Sequence, residues 1–229
     1  MPPVPENPDA AVDRWLLRLG AYEAFDDAWW EAVAALHELG YDIVPRLIDA
    51  VADEQYSVHK GVARALSRFG SAILYDTIGA LTHPDVKVRD WAANALYYKA
   101  VGEINARRGT GDRQCPAIAD AIPALIATLR DPEEQVRQMA VIAINMMGHA
   151  RLIRGAEAEE AVSALAELLE DECCSVREWT ANALGTIGFA AKPAVGGLTR
   201  LLLDDVPGVR EAASEALNSI QRSWEPPLS

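Results

Sequence analysis

The chain is short of cysteine, of positive charge and of long apolar runs, and each shortage narrows what it can be. Three cysteines, Cys115, Cys173 and Cys174, include no Cys-x-x-Cys pair. An odd count of unpatterned cysteines does not suggest a secreted disulfide framework. Lys and Arg number 21 against 34 Asp and Glu, a net charge of -13. Such a chain repels a phosphate backbone unless it has a strong local basic patch. The densest basic group is Arg107-Arg108 with Arg113, in a stretch that reads as a loop-like insertion. Nucleic acid is therefore not an expected partner. Every long apolar run carries a charge or a turn, so no membrane span is expected. The opening Met1-Pro2-Pro3-Val4-Pro5-Glu6-Asn7-Pro8 lacks the basic and apolar regions of a secretory signal. A reducing, cytoplasmic location is the expectation. Histidine is scarce too: the four present show no His-x3-His or His-Glu-x2-His spacing. Neither a metal nor a cofactor is expected.

What the chain does have is a repeat. Val176-Arg177-Glu178-Trp179-Thr180-Ala181-Asn182-Ala183-Leu184 is nearly copied by Val88-Arg89-Asp90-Trp91-Ala92-Ala93-Asn94-Ala95-Leu96. Val136-Arg137 leads to Ala140, Ala143 and Ile144, and Val209-Arg210 to Ala213, Ala216 and Leu217. A worn copy starts at Val58 and runs through Val62, Ala65 and Leu66. Counting the valine as zero, positions 0, 4, 7, 8 and 11 fall on one helical stripe. Small residues at 4 and 7 let helices approach, and large ones at 8 and 11 fill the layer between repeats.

An aspartate stands five residues before the valine in four copies, at Asp53, Asp131, Asp171 and Asp204; the second copy has His83 there. It can cap the turn leading into the signature helix. The arginine at position 1 is expected to pair with an aspartate of a neighbouring turn, because it recurs with the repeat itself. The pattern predicts five helix pairs. First helices fall near 42–52, 72–82, 118–130, 158–170 and 192–203. Second helices fall near 56–69, 86–100, 134–148, 174–188 and 207–221.

Asp-x4-Val-Arg-x2-Ala-x2-Ala-Leu, complete at 204–217, resembles the HEAT family, in particular the short repeats of phycobilin lyases. That resemblance implies an all-α, right-handed solenoid, a superhelix of about five HEAT-like helix pairs over 41–221. Insertions are expected near 101–117 and 148–155. Residues 9–40 form an N-terminal helical cap, with a buried stripe of Trp30, Val33, Ala34 and Leu36. Residues 1–8 are expected to be extended or disordered, and 222–229 a tail. The family's scaffold use implies a non-catalytic interaction protein that binds a partner on its concave face.

In such stacks the second helices line the concave side. Positions 2, 5, 6 and 9 should then face a ligand, with 3 and 10 at the flanks. The candidate contacts are Asp90, Trp91, Asn94, Tyr97 and Tyr98; Gln138 and Met139; Glu178, Trp179 and Asn182; and Glu211 and Glu215. Aromatic area, amide donors and acceptors, and carboxylates at the rim suit a basic protein or peptide. The competing structural role is that Trp91 and Trp179 pack between neighbouring second helices while the acids serve solubility. The alternative function is a small-molecule protein, binding a cationic or aromatic ligand or acting as a lyase-like enzyme. No catalytic residue is assigned.

Overall fold

The computed structural model describes residues 8–21, 26–52, 56–110 and 116–223, and among these every regular element is helical. Thirteen α-helices follow in order: α1 Pro8–Ala21, α2 Asp27–Glu38, α3 Val44–Ala50, α4 Tyr56–Arg68, α5 Leu74–Ala80, α6 Val86–Thr110, α7 Pro116–Ala119, α8 Ile122–Thr128, α9 Glu134–His149, α10 Gly155–Leu168, α11 Cys174–Ile187, α12 Val195–Leu201 and α13 Pro207–Arg222. The expectations for residues 1–7, for Cys115 and for 224–229 lie outside the described residues. The five predicted second helices are α4, α6, α9, α11 and α13. Four of the predicted first helices, α3, α5, α8 and α12, are shorter than their sequence pattern, whereas α10 begins earlier than expected. Three are entered through 3-10 turns, Tyr41–Ile43, Gly70–Ile73 and Gly188–Ala194. Pro45 and Pro123 occupy the opening positions of α3 and α8, and Pro193 sits inside the third 3-10 turn. Proline lacks the N–H that would carry an α-helix back through these points.

The insertion near 101–117 departs most from expectation, because α6 runs on as helix to Thr110. Its continuation holds Glu103, Ala106, Arg107 and Arg108, good helix formers, and no proline. The stretch 148–155 closes as a tight turn. The N–H of Leu152 donates to the carbonyl of Met147 at 3.0 Å, and Arg151 and Gly155 both take positive φ.

Two compact units divide the chain, 1–92 and 93–229. In the first, α1, α2 and α4 pack together, with α3 against α4 and α5. Asp26 caps α2 by accepting the Trp29 N–H at 2.6 Å. Trp29, fully buried with Ala32, Val33 and Leu36, carries the core of this helix, whereas Trp30 is 37 % exposed. The expected stripe was one residue out of register at its first turn. Gly61 lets the Leu19 side chain lie where a Cβ would stand, 2.6 Å away.

In the second unit α8 pairs with α9, α10 with α11 and α12 with α13, while α9, α11 and α13 form their own layer. The signature residues make the core: Val136, Ala140, Ala143, Ile144, Val176, Thr180, Ala183, Leu184, Val209, Ala213 and Ala216 are all buried. The second helices touch closely. A Cβ on Gly185 would stand 3.0 Å from the Ala216 Cα.

The turns explain the rest of the signature. Asp131, Asp171 and Asp204 each accept the N–H two residues on, at 3.0, 2.9 and 2.9 Å. Position 1 then ties each turn to the next. Arg137 donates Nε and Nη2 to the Asp171 carboxylate at 2.8 and 3.0 Å, and Arg177 does the same to Asp204 at 2.8 and 3.0 Å. The third nitrogen binds the arginine's own turn, reaching the carbonyls of Asp131 and Pro132 from Arg137, and of Asp171 and Glu172 from Arg177. This is the expected ladder. Arg177 and the Val206 N–H hold the Asp204 carboxyl below its ordinary range against the opposing effect of burial. In the first unit His83 replaces the aspartate and does its work. Its Nδ1 accepts the Asp85 N–H at 3.1 Å, which leaves Nε2 to donate towards Asp49 Oδ1 at 3.2 Å.

Candidate functional site

In the second unit one face of each of α9, α11 and α13 is taken by its first helix and a flank by a neighbouring second helix, so only a narrow strip meets solvent. That geometry corrects one expectation. Position 5, placed on the ligand face from the helical wheel, is fully buried at Ala93, Val141 and Ala181. At Val141 and Ala181 the reason is the close layer of α9, α11 and α13, which covers that flank.

The first unit holds two of the candidates. Asp90 is half-buried. Trp91 is only 8 % exposed, so it packs in the interior and offers no contact surface.

The second unit holds the others. On α6, Asn94 and Tyr97 are half-buried and Tyr98 is 66 % exposed, with the two tyrosine rings edge to face at 5.0 Å. On α9, Gln138 and Met139 are half-buried, as are their neighbours Ile142 and Met146. On α11, Glu178, Trp179 and Asn182 are half-buried; on α13, Glu211 and Glu215 are exposed. Position 2 thus forms a row across three adjacent helices, Gln138, Glu178 and Glu211. Position 6 forms a second, Ile142, Asn182 and Glu215. Asn145, one turn beyond Ile142, is buried instead, and its Oδ1 has no hydrogen-bond partner.

Charge is distributed unevenly over this face. Arg137 and Arg177 are spent on the ladder, and Arg210 Nη1 binds the carbonyls of Asp204 and Asp205 at 2.6 and 3.1 Å. Arg222 lies in the last turn of α13 and reaches the Asn218 carbonyl. Among the described residues, no basic side chain meets Glu178, Glu211 or Glu215. Glu178 has a different neighbour. Its Oε2 lies 3.0 Å from where a Cβ on Gly208 would be, beside the first turn of α13, whose dipole favours an anion there. Sequence reasoning missed this contact; a glycine in a helical first turn was its one trace.

No group of three or more His, Cys, Asp or Glu among the described residues is placed to hold a metal ion. No described helix is long and apolar enough to cross a membrane.

Helix pairs with one signature, locked turn to turn by arginine and aspartate, define an α-helical repeat protein of the solenoid class. Residues 122–218 match the family model described as HEAT repeats. No curated protein matches the chain in sequence. Solved structures with this fold include an engineered protein of the Northeast Structural Genomics Consortium, 22 % identical, covering 96 % of this chain and 94 % of that one with a TM-score of 0.63. A computationally designed armadillo repeat protein for modular peptide recognition is 20 % identical over 95 % and 94 % of the two chains, TM-score 0.62. A designed armadillo repeat protein in complex with the peptide (KR)4 is 18 % identical over 93 % and 92 %, TM-score 0.56.

Proposed function

We propose that the protein is a non-catalytic scaffold that binds a basic protein or peptide segment on the face of its second helices, the side the HEAT resemblance makes concave. The observation that carries this reading is the set of carboxylates on α11 and α13, Glu178, Glu211 and Glu215, which no described basic side chain neutralises. Every signature arginine is engaged at a turn, so the face keeps its negative charge. Trp179 and Met139 supply apolar contact and Asn182 and Gln138 supply amide donors and acceptors beside it, while Asn94, Tyr97 and Tyr98 remain candidate contacts on α6. A structurally similar designed repeat protein holds a peptide of alternating lysine and arginine, which supports a cationic partner here.

The test is fluorescence anisotropy with labelled (KR)4 peptide at low and high salt. Binding should weaken steeply with salt, since exposed charges are screened over about 8–10 Å. The double variant Glu211→Lys with Glu215→Lys should lose at least about tenfold in affinity, roughly 1.4 kcal/mol. An affinity indifferent to both salt and charge reversal would sink the proposal.

A further inference from the structure

The second-helix face of the C-terminal unit is graded. It is apolar on α9, where Met139, Ile142 and Met146 are half-buried. It is mixed on α11, where Trp179 and Asn182 lie beside Glu178, and acidic on α13, with Glu211 and Glu215 exposed. Equivalent repeat positions make the steps regular. Position 6 reads Ile142, Asn182 and Glu215 on consecutive helices, and position 2 reads Gln138, Glu178 and Glu211. The helices are in close contact, since a Cβ on Gly185 would meet Ala216 Cα at 3.0 Å. Packed helices stand about 8–10 Å apart, and an extended chain in polyproline II conformation advances about 3.1 Å per residue and returns to the same face every third residue. One helix step therefore corresponds to about three residues of an extended partner.

Resting on the reading that this face binds a basic segment, we infer that the segment is extended and graded in the same sense. An apolar side chain seats on α9, and basic side chains follow at intervals of three residues against α11 and α13. Charge complementarity fixes the basic end, because Glu211 and Glu215 have no partner among the described residues and Glu178 faces only the first turn of α13. The apolar end is fixed by the absence of charge from Met139, Ile142 and Met146. A period of three, about 9 Å along a polyproline II chain, matches the helix spacing, whereas the period of two natural to a strand advances only about 7 Å.

The test is an NMR titration of the full chain with four peptides of one composition. The first is Leu-Ser-Ser-Arg-Ser-Ser-Arg and the second is its reverse. The third, Leu-Ser-Arg-Ser-Arg-Ser-Ser, brings the arginines to a period of two. The fourth, Arg-Ser-Ser-Leu-Ser-Ser-Arg, moves the apolar residue to the centre. One of the first two should bind at least about tenfold more tightly than the third and fourth. Ile142→Ser should weaken that peptide by a clearly larger factor than it weakens (KR)4. Equal affinity for all four would overturn the graded register and leave the basic-segment reading standing. Failure of all four and of (KR)4 would remove the reading beneath it.

Discussion

Replacing Asp204 with asparagine keeps the shape of the side chain and the oxygen that accepts the Val206 N–H at 2.9 Å. It removes the charge that holds Arg177. Asp204 and Arg177 are 8 % and 18 % exposed and meet through two hydrogen bonds of 2.8 and 3.0 Å. Deleting one member of such a pair strands the other with little solvent to take its place. The expected cost is about 3 kcal/mol, the lower end for a buried pair. In a repeat stack that loss should act mainly on the last repeat, so α12 and α13 open first. Urea denaturation followed by helical circular dichroism gives the magnitude, and hydrogen exchange locates it. The control is Arg130→Gln. Its pair with Glu167 is as short, 2.9 Å, but its side chains are 59 % and 58 % exposed, so the variant should match the parent. The pH dependence carries a sign. The Asp204 carboxyl is held below its ordinary value, so the pair stabilises fully above the unfolded carboxylate value near ~3.9. That contribution is lost as pH falls through the lower folded value. The difference between parent and Asp204→Asn should be constant at neutral pH and vanish in acid. Equal costs for Asp204→Asn and Arg130→Gln would refute the ladder as a source of stability.

Three further outcomes are expected. Trp91→Ala should cost about 3–5 kcal/mol in urea because the side chain is interior, whereas Trp179→Ala, half-buried, should cost much less and instead weaken peptide binding. Gly185→Val should destabilise by about 1–3 kcal/mol, since its Cβ meets Ala216 backbone rather than a movable side chain; thermal melting reads this directly. His83→Asn preserves an acceptor for the Asp85 N–H and should melt close to the parent, while His83→Leu should lose about 1 kcal/mol, as other lost capping bonds do.

The second helices were legible because one stripe of valine, small residues and leucine serves both periodicity and packing. Their ends fall within a residue or two of the pattern at α9, α11 and α13. The ladder was legible for the same reason: an aspartate five residues before the valine and an arginine one after it recur as a set at Val136, Val176 and Val209. The first helices were less so. Pro45, Pro123 and Pro193 turn their openings into 3-10 or cap geometry, which apolar spacing does not register. The continuation of α6 was hidden by Gly102 and Gly109, which read as loop residues but leave the helix-forming run between them intact. The face itself was half legible. Positions 2 and 6 reach the surface, but the neighbouring second helix covers position 5 at Val141 and Ala181, and Trp91 turns inward, the alternative already open to it from its flank position. Such tertiary coverage cannot be seen along a single helix.

The central claim is that the acidic strip of α11 and α13 receives a basic segment. Hydrogen–deuterium exchange of the full chain with and without saturating (KR)4 peptide tests it most directly. The account predicts slowed exchange in α11 around 178–182 and in α13 around 211–215, abolished by Glu211→Lys with Glu215→Lys. Protection confined to the first helices α10 and α12, or protection that survives the charge reversal, would contradict it.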